Sequence, residues 1–141
     1  MKQFDVVIVG GGPAGIGIGA MLKELGVKRT IILEREKVGA SFDKWPKEMQ
    51  LITPSFSTNF YGHLDLNSVV SATSPAYTLR KEHPTGKEYA QYLRGISKHF
   101  DLPVAEGCNV EKVTYSKGFF KMNLRRGETI KSTLMVCAAG Q

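Results

Sequence analysis

The sequence predicts an α/β fold in which a parallel sheet, built on a βαβ unit, continues into a three-stranded antiparallel meander. Three observations lead there. Two short apolar runs, at residues 5–9 and 30–33, flank a glycine-rich turn and a helix-like segment. Residues 109–133 alternate in polarity around two turn signals. A last apolar run at 134–137 has the continuous hydrophobicity of a strand covered on both faces.

Residues 5–9 (DVVIV) are β-branched and apolar and read as a buried parallel strand. Glycines follow at once. From Pro13 to Leu25 small and apolar residues suit a helix, which Gly26 stops. Residues 30–33 (TIIL) form the second strand, ended by Glu34. Strand, helix and strand within about 30 residues make a βαβ unit. Residues 39–61 are rich in Ser, Thr, Pro and aromatics without a period, a long connection of the kind that carries function or short helices. Thr85-Gly86-Lys87-Glu88 is a capping box that opens a helix with Tyr89, Tyr92, Leu93 and Ile96 on one face. That tyrosine pair is expected to pack. Residues 102–105 read as the next parallel strand. Residues 109–115, 118–125 and 129–133 form the meander, turning at 116–118 and 126–127. Residues 134–137 are a further strand, ending at Ala138-Ala139-Gly140.

Composition bounds the function classes. With 141 residues, 42% apolar and 23% charged, the chain has the balance of a globular domain, and one domain over 1–141 is expected. No stretch approaches the roughly 18 consecutive apolar residues of a membrane span, and residues 6–9 are too short for a signal peptide. No membrane partner is expected, and a cytoplasmic location is the default. The net charge of +6 comes from scattered residues whose runs are pairs such as Lys28-Arg29 and Arg125-Arg126, so the basic balance reads as solvated surface and no nucleic-acid partner is expected. Cys108 and Cys137 form no C-x-x-C and read as two buried, packing thiols. His63, His83 and His99 show no ligand spacing, so no metal site is expected.

The chemistry lies in Gly10-Gly11-Gly12-Pro13-Ala14-Gly15, a G-x-G-x-x-G between a strand and a helix, with acidic Glu34 at the end of the second strand. That context is what a Rossmann-like dinucleotide site requires. Gly10 allows the tight turn. Gly12 lets backbone approach a pyrophosphate. Gly15 lets the helix pack closely, and Gly19 keeps the same face small. The helix N-terminus offers unpaired N–H groups and its positive dipole end to phosphates. Glu34 can accept hydrogen bonds from ribose hydroxyls and would repel a 2′-phosphate, whereas Arg35 beside it would favour one.

Beyond these residues the sequence resembles the N-terminal part of flavoproteins with two dinucleotide-binding domains, the group that includes flavin-containing monooxygenases and thioredoxin-reductase-like enzymes. Residues 34–46, including Arg35, Gly39, Ser41 and Trp45, resemble the stretch that follows the second strand in flavin-dependent monooxygenases, where a Gly-Gly-x-Trp-like segment lies along FAD. Leu51-Ile52-Thr53-Pro54-Ser55 follows as in that group, and Trp45, Phe56 and Phe60 are candidates to line the flavin. Thr133 to Gly140 resembles the second FAD-contacting strand, which ends Ala-Thr-Gly where this chain has Ala138, Ala139 and Gly140. Val110 matches a position whose backbone meets the adenine. Ala40 and Ala139 depart from the pattern and keep only the small size of the usual glycine and threonine. Ala14 stands where the bacillithiol disulfide reductases have cysteine, so the resemblance implies monooxygenase-like rather than thiol–disulfide chemistry.

The resemblance implies an FAD cofactor, NAD(P)H in the full-length enzyme, and an incomplete FAD domain, because the second fingerprint and the returning strand of such enzymes lie beyond the residues matched here. No acid, base or nucleophile is identified. The alternatives are a non-catalytic nucleotide-binding module that needs a partner chain, and an NAD-binding dehydrogenase domain, which the meander disfavours. Self-association into a homodimer through an exposed sheet edge is a further expectation.

Overall fold

The computed structural model describes residues 1–56, 65–71 and 73–140. Strand β1 (Lys2–Val9) leads through the glycine turn into helix α1 (Pro13–Glu24), and β2 (Thr30–Leu33) returns beside β1. A short helix α2 (Ala40–Asp43) is followed by α3 (Pro75–Leu79) and α4 (Gly86–His99). Then come β3 (Val104–Ala105), β4 (Val110–Ser116), β5 (Phe119–Leu124) and β6 (Thr129–Cys137). All six strands belong to one sheet in the order β3-β2-β1-β6-β5-β4. The β3, β2, β1 and β6 neighbours run parallel, and β6, β5 and β4 run antiparallel. This mixed α/β sheet is the architecture expected.

Two apolar clusters hold the sheet. On one face Val6, Ile8 and Ile32 meet Ile16 and Ala20 of α1 and Tyr89, Tyr92, Leu93 and Ile96 of α4. On the other, Val7 and Leu33 meet Met122, Leu124 and Ile130 of the meander, with Cys108 beneath them. A β-strand sends alternate side chains to opposite faces, so the unbroken apolar run at 6–9 serves both clusters at once. The middle of α1 is placed by Gly19, where an added Cβ would stand 2.7 Å from Ile32 Cδ1.

The expected third meander strand and the separate last strand are one. β6 runs unbroken over nine residues, pairing antiparallel with β5 from Thr129 to Ser132 and parallel with β1 from Ile130 to Cys137. Its side-chain alternation shifts partway. Ile130 and Met135 both reach the second cluster although five residues apart, and on β1 Phe4 and Val7 do the same. Ser132 lies at this shift, fully buried with its hydroxyl unpaired. The phase change is why the sequence reads as two strands. β3 is shorter than residues 102–105, because Leu102 is occupied in the first cluster and Pro103 has no N–H to pair. Cys137 also departs from expectation: it is exposed, while Cys108 is buried, and both are free.

Helix α4 anchors the long connection. Thr85 Oγ1 accepts from Glu88 N at 3.3 Å, and Glu88 Oε2 accepts from Thr85 N at 2.9 Å, completing the capping box. Tyr89 and Tyr92 do pack in the core, and their hydroxyls also secure Asn67, Val69 and Thr73. Tyr89 donates to Asn67 O at 2.8 Å, and Tyr92 Oη meets Thr73 Oγ1 at 2.7 Å and accepts from Val69 N at 3.1 Å. Burial pushes the Tyr89 phenol well above its ordinary range, keeping it a neutral donor. Asp65, 1% exposed, accepts from Ser74 Oγ and from Asn67 N, both at 2.8 Å, so its buried charge is hydrogen-bonded. Among the described residues no helix is long and apolar enough to cross a membrane and no group of side chains has metal-ligand geometry.

The capping box yields a stability prediction. Removing the Thr85 hydroxyl in Thr85→Ala is expected to cost about 1 kcal/mol, read as a lower urea midpoint at unchanged slope. The Thr85 backbone N–H holds the Glu88 carboxyl below its ordinary value of 4.5 despite partial burial. A depressed folded value means the stabilisation is present above pH 4.5 and disappears as pH falls through the folded value. Glu88→Gln should therefore show a shallower acid-side loss of stability; an identical pH profile would refute the assignment.

Candidate functional site

The glycine turn sits where three backbone segments converge. Gly10 has φ of +114°, and a Cβ there would lie 2.2 Å from the Ala138 carbonyl oxygen. A Cβ on Gly15 would lie 1.9 Å from the Gly10 carbonyl oxygen. These two glycines are demanded by packing of the protein against itself. Gly12 is different: nothing stands within 4 Å of its added Cβ, so its missing side chain leaves free space on the groove side. Gly12 is the N-cap of α1 with extended backbone, no side chain caps the helix, and its first turn contains no acidic residue. The free donors and positive dipole end of α1 therefore await an anion.

Glu34 is fixed before any ligand arrives. Its Oε2 accepts from Gly11 N at 2.6 Å and its Oε1 accepts from Glu36 N at 2.8 Å. Its own backbone is tied on both sides, Glu34 N donating to Ala105 O at 2.9 Å and Cys108 N donating to Glu34 O at 2.8 Å. Each carboxylate oxygen keeps a further lone-pair direction for another donor. Gly11 belongs to this arrangement, since a Cβ there would lie 3.0 Å from Glu34 Oε2.

Between these parts runs a groove of about 800 Å³. Gly10, Gly12, Pro13 and Ala14 line it together with Arg35, Ser41 and Lys44 and with Ala138, Ala139 and Gly140, and Glu34 sits against the turn itself through its bond from Gly11 N. It lies outside the carboxyl ends of β1, β2 and β6, where ligands of open α/β sheets bind. The wall carrying Ser41 is held by glycine contacts: Gly39, in left-handed conformation, abuts Ala90 of α4, and a Cβ on Gly86 would stand 2.3 Å from Phe42 O. Asp43 receives Arg94 of α4 and, at 3.1 Å, Lys37. Burial opposes its ionisation, but those bonds outweigh it and hold the carboxyl below its usual range. A second cleft of about 370 Å³ adjoins, sharing Arg35 and lined also by Gly107, Asn109, Arg125 and Arg126.

Of the residues singled out from sequence, Gly10, Gly12, Pro13, Ala14, Glu34, Arg35, Ser41, Ala138, Ala139 and Gly140 come together in one groove. Gly15 lies just behind it, under Gly10. Trp45, Thr53 and Val110 are not in its lining. Trp45 is turned against Phe42, ring centroids 5.0 Å apart, because the C-terminal end of α2 packs on the start of α4. Thr53 is exposed and its carbonyl accepts from Asn67 Nδ2 at 2.8 Å. Val110 packs toward the second cluster at the start of β4. Phe56 is exposed, and Phe60 lies outside the described residues. Gly11, Glu36, Phe42, Lys44 and Cys137 line or shape the site without having been singled out. The sequence signal for Gly11 was present in the triple glycine; for Lys44 and Glu36 only the fold shows that they meet.

A family model described as pyridine nucleotide-disulphide oxidoreductase matches residues 7–141. The uncharacterized oxidoreductase CzcO of Bacillus subtilis (strain 168) is 25% identical over 135 residues, 95% of this chain and 36% of that protein. FAD-dependent oxidoreductase domain-containing protein 2 of Mus musculus is 23% identical over 96% of this chain and 23% of its own length. Among solved structures, the bacillithiol disulfide reductase Bdr (YpdA) from Staphylococcus aureus superposes with a TM-score of 0.83 at 21% identity, covering 99% of this chain and 39% of that one. The flavin-containing monooxygenase from Stenotrophomonas maltophilia gives 0.79 at 22% identity, with the same coverage. At such identities the structures share the fold. The chain spans about a third of the length of the CzcO relative. With the family model spanning the glycine turn, Glu34 and the Ala138–Gly140 end of the groove alike, the chain belongs to the pyridine nucleotide-disulphide oxidoreductase family.

Proposed function

We propose that the groove binds FAD and that these 141 residues are the FAD-binding part of an NAD(P)H-dependent, monooxygenase-like flavoprotein oxidoreductase. The observation that carries the reading is the Glu34 carboxylate, pinned on the glycine turn, in the same groove as an uncapped helix N-terminus with open space at Gly12. The carboxylate suits a ribose diol and the helix N-terminus a pyrophosphate. The adjoining cleft at the start of β4, beside Val110, is the place for the adenine, with the Arg35 guanidinium able to stack on its face. The names of the relatives, an FAD-dependent oxidoreductase and a flavin-containing monooxygenase, support FAD over NAD as occupant. The flavin supplies the hydride and oxygen chemistry, and this chain supplies binding and orientation. Thiol–disulfide chemistry is disfavoured by Ala14 in the fingerprint and by two cysteines that are both free, one of them buried. In this reading a nicotinamide cofactor is received by residues outside these 141, which contain one dinucleotide fingerprint.

The purified protein should take up FAD and turn yellow, and titration with FAD, NAD, NADP and ATP should rank FAD first; tighter binding of NAD would overturn the flavin assignment. Glu34→Ala should weaken FAD by about 1.5–3 kcal/mol through loss of charge-assisted bonds to the ribose.

Glycine substitutions should separate binding from folding. Gly12→Val is expected to fold and fail to bind, because its side chain would occupy free groove space, whereas Gly15→Val should not fold to the native state. A folded Gly12→Val with unchanged affinity would show that the ligand does not sit on this turn.

The 141-residue chain with added FAD should show no steady NADH or NADPH oxidation. Turnover on the order of 1 s⁻¹ or more, within the usual enzyme range, would place a nicotinamide site within these residues or between copies of them.

A further inference from the structure

Part of the groove lining is strongly charged. Arg35, Glu36 and Lys44 line it, while Lys37 is turned away and engaged with Asp43, which also receives Arg94. Lys44 is the C-cap of α2, and its ammonium hydrogen-bonds to Glu36 Oε1. Arg35 approaches the same oxygen at 3.7 Å. Glu36 thus places a carboxylate on the wall of a groove whose other features, an uncapped helix N-terminus and a glycine without neighbours, suit an anion. A bare carboxylate there would repel a pyrophosphate, and in the structure the Lys44 ammonium neutralises it.

The pair is built to part. The Lys44 side chain is 61% exposed and that of Glu36 39%, so the ion pair is solvated and separating it costs little. Lysine has a flexible four-carbon stem and a compact charge that can be re-aimed without moving the backbone. The backbone beneath it is steady, since α2 is fixed through Asp43–Arg94 and the glycine contacts with α4. A phosphate group offers several anionic oxygens and more charge than a carboxylate, and it would arrive partly desolvated against the helix N-terminus, where a charge-assisted bond is stronger.

We propose that Lys44 is a phosphate-binding residue of this groove and that Glu36 is its resting counterion, from which the ammonium transfers to the pyrophosphate when the dinucleotide enters. The inference rests on the dinucleotide reading of the groove. It makes the two members of one ion pair act in opposite directions on affinity. Without Lys44 the pyrophosphate loses a cation and meets an unscreened Glu36. Without the Glu36 charge, Lys44 is free beforehand and one source of repulsion is gone. The hydrogen bond from Lys44 also holds the Glu36 carboxyl below its usual value, as expected of a resting partner.

The test is calorimetric titration of the folded protein with FAD, with ADP, and with adenosine as the phosphate-free probe, at several salt concentrations. Lys44→Gln should weaken FAD and ADP about tenfold and leave adenosine unchanged, and its ADP affinity should fall less steeply with salt. Lys44→Arg should retain most of the affinity. Glu36→Gln should tighten ADP, and that gain should shrink in the Lys44→Gln background. Equal weakening of adenosine and ADP would assign Lys44 a structural role and overturn the proposal, as would weaker ADP binding in Glu36→Gln or unchanged ADP binding in Lys44→Gln. A wild-type protein that binds neither FAD nor ADP would overturn the dinucleotide reading itself, and this inference with it.

Discussion

Three backbone segments meet at Gly10 at distances that no side chain permits. The carbonyl of Ala138 lies where a Cβ of Gly10 would be, and the carbonyl of Gly10 lies where a Cβ of Gly15 would be. This contact joins the first strand, the first helix and the end of the last strand into one rigid corner. Gly10 N also donates to Leu33 O at 2.8 Å, and Ala138 N donates to Val9 O at 2.8 Å, so β2 and β6 are tied to the same point. Everything that gives the groove its shape hangs from this corner: the direction of α1, the height of Glu34 above the turn, and the position of Ala138–Gly140 at the end.

Around the corner the charged groups are arranged in order of commitment. Glu34 is held by two backbone N–H groups and has no freedom to leave. Asp43, further from the groove, is locked between Arg94 and Lys37 and serves the wall rather than the ligand. Glu36 and Lys44 are solvated and loosely held. The gradient follows from exposure: a carboxylate pinned by backbone donors is pre-organised for hydrogen bonding, while long exposed side chains retain rotamer freedom that a ligand can recruit.

Much of the fold could be read in the residues because period and punctuation agree. The strand at 30–33, the capping box at Thr85 and the turn at Arg126-Gly127 each combine a local signal with the pattern of the neighbouring element, and the structure places them accordingly. The phase change in β6 was not legible, because apolar alternation that shifts face partway resembles two strands with a joint between them. The glycine fingerprint and Glu34 were legible because each site role there is carried by a residue type at fixed spacing. Trp45, Thr53 and Val110 were assigned from resemblance, and side-chain direction is what spacing cannot convey: Trp45 turns toward α4 because Phe42 and the start of that helix offer it a packing surface. Lys44 and Glu36 are eight residues apart in sequence and meet across the left-handed Gly39 and the short helix α2 that lie between them.

The continuity of β6 has a consequence for how the molecule comes into being. Its register pairs Val6 with Leu134 and Val9 with Cys137, so on the side away from β2 the first strand finds its neighbour far along the chain. Contacts of such sequence separation form late, because most of the chain must be ordered before they close. The βαβ half and the meander can each collapse locally, but the corner at Gly10 is finished only when β6 slides between β1 and β5. The nucleotide groove is therefore complete only once β6 has paired with β1. A ligand that bridges the turn at Gly12 and the segment at Ala138–Gly140 would clasp two sequence-distant segments together, acting on the assembly of the groove as well as on its function.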